Sequence, residues 1–208
     1  MQQENPHQNK LRSLLLTDDP KQSLRIRRSF LGGLGYMLWI AVYLIFHYLG
    51  LQRAGTPTVV GIVLLMLVCN MVFYIMLRSG INLRFKDPSL TIGQIMAGIF
   101  WVGVLSYYTH SSLRGSMISL FVVIFIFGIF RLTLSQFFAL VAASVAAYGG
   151  AMLLLHHHNP GAVDLYIETI RSVILLATLS FFSVIGNYIY RLRKKMVAVN
   201  TNLQRALE

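Results

Sequence analysis

Apolar residues dominate the chain in six long stretches, at roughly 30–51, 58–77, 92–110, 115–131, 133–155 and 168–190. About 20 apolar residues suffice for a helix to cross the hydrocarbon core of a bilayer, so each stretch predicts a membrane-spanning helix. Punctuation falls between them. Pro57 opens the second, Pro88 precedes the third, and Asn159-Pro160-Gly161 breaks the chain before the sixth. Ahead of the first, Asp19-Pro20 reads as an N-cap followed by proline at the first helical position. Lys21 to Ser29 then predicts a short interfacial helix whose Lys21, Arg25, Arg27 and Arg28 form a basic collar. Toward the end of the sixth stretch the pattern changes period. Ile185, Ile189, Leu192, Met196, Val199, Leu203 and Ala206 recur at alternating steps of 4 and 3, with no Pro or Gly from Asn187 to Glu208. That is the seam of a coiled coil, although Leu192 to Ala206 spans barely two heptads.

The predicted fold class is therefore all-α: a polytopic membrane protein with six transmembrane helices, the last extending into a cytoplasmic coiled-coil signalling helix. Residues 1–29 form an N-terminal tail and basic helix, 30–190 a six-helix transmembrane domain, and 191–208 the start of a linker. The extension reads as the output of a receptor whose effector lies beyond Glu208.

Composition agrees with a membrane protein. The chain is 56% hydrophobic and only 12% charged, and its mean hydropathy is +0.63, whereas soluble domains are roughly a quarter charged. A net charge of +11 raises the question of nucleic acid, but the basic residues sit at the ends of apolar segments, which points to membrane lipid instead. With the N-terminus inside, 15 of the 18 basic residues fall on the cytoplasmic side. Only Arg53, Arg114 and Arg171 lie outside or at the outer edge. Both termini are thus expected in the cytoplasm. The single cysteine, Cys69, excludes an intrachain disulfide, and no cleavable signal peptide is expected.

Polar groups within the spans are few. Asn70, Gln94, Gln136, Ser144 and Asn187 suggest hydrogen bonds between helices, with a polar hinge as the alternative for Asn187. Two rows of small residues in the fifth span, Ala142-Ala146-Gly150 and Ala143-Ala147-Ala151, suit close packing inside the bundle or against a second copy. Trp101 and the phenylalanines of the fourth span suit lipid and neighbouring helices. Five histidines, His47, His110, His156, His157 and His158, fall at the outer ends of the first, third and fifth spans, in a layer shared with Tyr43, Tyr48, Tyr107 and Tyr108. Interfacial aromatics and the helix dipole account for that placement. The alternative is a site for a small ligand, a metal or haem, built from His47, Tyr107, His110 and the His156–His158 run.

The inner loop Arg78-Ser-Gly-Ile-Asn-Leu-Arg-Phe-Lys-Asp-Pro-Ser-Leu-Thr91 has its own local logic. Gly80 and Asn82 suit a turn, Asp87 suits a cap for the next helix, with Pro88 and Ser89 starting it, and Arg84 and Lys86 suit phospholipid headgroups. Through Ser79, Gly80, Asn82, Phe85, Asp87, Pro88, Ser89, Leu90 and Thr91 the loop resembles a stretch in the six-helix membrane domains that precede GGDEF domains in bacterial diguanylate cyclases. The helical exit from Tyr190 onward is similar to the linker of that family. The resemblance implies a homodimer through helix 6 and the coiled coil, and an effector that makes cyclic di-GMP from GTP with Mg²⁺. No cofactor is expected in this chain itself, which holds seven acidic residues and no GGDEF signature, so no catalytic residue is assigned. A sensor for a histidine kinase is the alternative. A small-molecule transporter has less support, because no internal repeat or mid-span ionisable residue is evident.

Overall fold

The computed structural model describes residues 19–129 and 132–207, without the side chains of 201, 203, 206 and 207. These residues form helices and turns. The helices are α1 (Pro20–Tyr48), α2 (Thr56–Arg78), α3 (Thr91–Tyr108), the single turn α4 (Ser111–Arg114), α5 (Met117–Gly128), α6 (Leu134–His158) and α7 (Leu165–Leu207). Short 3-10 turns lie at Ile81–Arg84 and Pro160–Ala162. Among the described residues there is no strand, only an isolated bridge between Gln52 and Thr109. Six segments are long and apolar enough to cross a membrane: α1, α2, α3, α4 with α5, α6 and α7.

Several boundaries differ from the sequence reading. Asp19 does cap the first helix, its carboxylate accepting from the Lys21 amide at 2.8 Å with Pro20 behind it. The basic collar is not a separate helix, however. It continues unbroken into the first span, because nothing between Ser29 and Phe30 stops a helix. The fourth span is interrupted at Gly115-Ser116. There the amides of Ser116, Ile118 and Ser119 bond three residues back, and the Ser116 and Ser119 hydroxyls donate to Leu113 O (2.7 Å) and Ser116 O (2.6 Å). Hydroxyls that reach the local backbone compete with the α-helical ladder. The third span begins at Thr91 rather than at Pro88, since Leu90 takes a left-handed φ of 52°. The polar residues placed between helices largely serve their own helix. Asn70 donates to Met66 O at 3.0 Å and Ser144 to Leu140 O at 2.8 Å. Gln136 closes a capping box with Thr133, the Thr133 amide donating to Gln136 Oε1 at 2.9 Å. Each of these bonds stays within its own helix or its cap.

The chain divides into two units, residues 19–50 with 54–90, and residues 51–53 with 91–207. In the first unit α1 pairs with α2. Ile26, Leu77 and Leu90 form its most enclosed cluster, flanked by Phe73, Tyr74 and Met76. In the second unit α3 packs on α5 and α6, and α7 packs on the same two helices. Small residues set how closely these helices meet. A Cβ on Gly103 of α3 would stand 3.2 Å from the Ala147 carbonyl of α6, and one on Gly186 of α7 would stand 2.9 Å from the Phe137 ring. Of the two small-residue rows in α6, Ala143-Ala147-Ala151 is half-buried, whereas Ala142, Ala146 and Gly150 are exposed.

Candidate functional site

The most polar interior point of the second unit lies where α7 begins. Asp164 caps this helix, accepting from the amides of Tyr166 (3.0 Å) and Ile167 (3.2 Å). One turn later Glu168 faces inward and is almost fully buried. Its Oε1 accepts from Arg114 of α4 and from Arg171 of α7, the latter at 2.8 Å. Its Oε2 accepts from the hydroxyl of Tyr148 in α6 at 2.6 Å. Arg114, itself with no exposed surface, also donates to Thr109 O (3.4 and 3.3 Å) and to Ala162 O (3.3 Å). Arg171 donates to Ser111 O at 2.9 Å. The partners come from α4, α6, α7 and both adjoining connections, so the cluster fixes the start of α7 against them.

A second arginine reaches the same carbonyl. Residues 51–53 run beside the end of α3, with Arg53 N donating to Tyr108 O (2.8 Å) and His110 N to Leu51 O (3.2 Å). This edge pairing delivers Arg53 Nη2 to Ala162 O at 3.0 Å. Arg53 Nη1 is enclosed without a hydrogen-bond partner. Burial, and next the neighbouring Arg114 guanidinium, push Arg53 down from the ordinary arginine value. The sequence reading counted Arg53, Arg114 and Arg171 only as outer charges, and passed over Glu168 and Tyr148. The available signal was Glu168 with Arg171 at i,i+3 on the edge of an apolar run, since an ionisable group there has to be paired.

In the first unit the inner loop is built around Asn82, which is fully buried. Its Nδ2 donates to Pro88 O and to Gln22 Oε1 (3.3 Å), while Gln22 Nε2 donates to Asn82 Oδ1 (2.8 Å) and to Leu77 O (2.5 Å). Arg25 holds the same Gln22 oxygen at 2.8 Å. Gly80 supplies the left-handed turn, at φ 76°, that no other residue type takes as cheaply. Asp87 accepts from the Ser89 amide at 3.1 Å, at the Pro88 turn. Ser79 ends α2, donating its hydroxyl to Met76 O at 3.4 Å. Arg84, Phe85 and Lys86 are exposed.

The histidines are divided. His47 belongs to the first unit, where its ring meets the Thr56 hydroxyl at 3.1 Å. In the second unit His158 Nδ1 stands 3.1 Å from the Tyr107 hydroxyl, and the His157 and His158 rings lie side by side. His110 is exposed and precedes α4, and His156 is half-buried. Among the described residues no three His, Cys, Asp or Glu side chains come close enough to hold a metal ion. On the extension, Ile185 and Ile189 are half-buried, Leu192, Met196 and Val199 are exposed, and the side chain of Leu203 lies outside the described residues. Comparison with family models, with curated proteins and with solved structures finds no match to this chain.

Proposed function

We propose that this chain is a membrane sensory domain that passes an intramembrane or extracytoplasmic signal along α7, through a dimeric coiled coil, to a GGDEF domain making cyclic di-GMP from GTP. The observation that carries the reading is the continuity of α7. It runs for 43 residues from the Glu168 cluster to Leu207 without a break. At 1.5 Å per residue that is about 65 Å, roughly twice the hydrocarbon thickness of a bilayer. A stiff rod of that length, anchored at one end in a charge cluster, moves its far end whenever the anchor is repacked.

Two further features support the reading. Large apolar side chains stand exposed along the spans, among them Leu31, Leu38, Leu64, Leu65, Phe100, Leu153 and Phe181, as lipid contact requires. Beyond the spans, Met196 and Val199 remain 68% and 57% exposed amid Arg191, Lys194 and Lys195. Apolar seam positions on an otherwise cationic helix are unfavourable in water unless a second helix covers them. The loop around Asn82, through its resemblance to that of diguanylate cyclase membrane domains, supports GGDEF as the effector.

Disulfide trapping tests the dimer. In a Cys69→Ala background, single cysteines replacing Leu192, Met196 or Val199 should cross-link between copies in native membranes, and one replacing Lys194 should not. Equal cross-linking at all four positions, or none at any, would remove the parallel seam.

A further inference from the structure

The charge count at the start of α7 does not balance. Three guanidinium groups, Arg53, Arg114 and Arg171, gather around the single carboxylate Glu168. Among the described residues of this unit the only other acid is Asp164, and it is occupied in capping the helix. Three positive charges against one negative leave a surplus of two. The N-terminal end of α7 adds its own positive partial charge. Arg114 is buried and Arg53 and Arg171 are half-buried, and charge in such partly enclosed positions favours a neutralising group of opposite sign.

Donor geometry points to the arginine that a neutralising group would meet. Arg114 is committed to Glu168, Thr109 O and Ala162 O, and Arg171 to Glu168 and Ser111 O. Arg53 is different. One arm shares the Ala162 carbonyl with Arg114, and the other, Nη1, is enclosed with no acceptor. An enclosed charged donor left without an acceptor forfeits a strong hydrogen bond. A guanidinium presents its donors as a planar fork that matches two oxygens of a carboxylate or phosphate. We infer that Arg53, backed by Arg114, is the head of a binding site for an oxyanion, a carboxylate or phosphate group that is either dissolved or carried on a lipid headgroup. Its existence does not depend on whether α7 drives an effector.

The test uses the whole chain, purified in dodecyl maltoside and in nanodiscs. Thermal unfolding is followed while sodium phosphate or sodium acetate is titrated against sodium chloride at equal ionic strength, and in phosphatidylglycerol compared with phosphatidylcholine discs. The expected result is a saturable rise in Tm with at least one probe beyond the chloride control. A rise with phosphate or acetate in detergent assigns a dissolved oxyanion, and a rise only with phosphatidylglycerol assigns a headgroup. Arg53→Gln should weaken the apparent affinity at least tenfold, whereas Arg205→Gln, exposed at the far end of α7, should leave it unchanged. Should Arg53→Gln fail to fold, Arg53→Lys keeps the charge and loses the fork, and should weaken binding several-fold. No rise above chloride with any probe, or the same affinity in the Arg53 variant as in the unaltered chain, overturns the inference.

Discussion

Glu168 is the residue on which the second unit depends most. Its carboxylate takes donors from α4, α6 and α7, and replacing it with glutamine leaves buried guanidinium charge uncompensated. Breaking a buried pair by removing one partner costs on the order of 3–5 kcal/mol. Glu168→Gln should therefore lower Tm sharply in detergent, while Asp164→Asn, at an exposed cap, should change it little. Tyr148→Phe removes one hydrogen bond to a charged group, worth about 1.5–3 kcal/mol, and should fall between the two. In the first unit Gly80→Ala, forced to hold φ 76°, should destabilise by about 1 kcal/mol, measurable as a small fall in the same transition. The glycine turn of the loop was legible in the sequence because its role is local, whereas the seating of Asn82 against Gln22, 60 residues away, was not. The Glu168 cluster was not legible, because its members lie as much as 54 residues apart in the chain and only the packing of helices brings them together.

At the level of elements, the apolar stretches predicted the spans, since length and hydropathy alone decide whether a helix can cross a bilayer. Their ends were less evident. The fourth span is broken by two serine hydroxyls that bond backward, a competition that hydropathy does not register. The fifth span displayed two rows of small residues, and nothing in the pattern said which row would pack. The close approach of Gly103 to Ala147 selects Ala143-Ala147-Ala151. Gly103→Leu should accordingly force α3 away from α6 and reduce the yield of folded protein. Gly150→Leu, at a glycine with nothing within 4 Å of its Cβ position, should express normally. Equal tolerance of both substitutions, measured by size-exclusion profile and Tm, would contradict the packing of this unit.

α7 joins a charge cluster near its start to exposed apolar positions, Leu192, Met196 and Val199, near its other end, within 43 helical residues. Moving a two-state equilibrium from 1:99 to 99:1 takes about 5.5 kcal/mol, a magnitude within reach of repacking a buried charge cluster. The distribution of lysine and arginine predicts that both termini face the same side. Reporter fusions active only in the cytoplasm should be active when placed before Pro20 and after Leu207, and inactive in the link near Arg53. A fusion active at all three positions would remove the six-span topology. The central claim, that α7 sets the pairing of an effector through the register of a coiled coil, is tested most directly by insertion. Join the chain through α7 to a GGDEF domain, insert one to seven residues after Tyr190, and measure cyclic di-GMP formed per molecule in membranes. The account predicts activity that rises and falls with insert length and returns to its starting value at seven residues, one full heptad. Activity that is indifferent to insert length, or that declines steadily without recovery at seven, would contradict it.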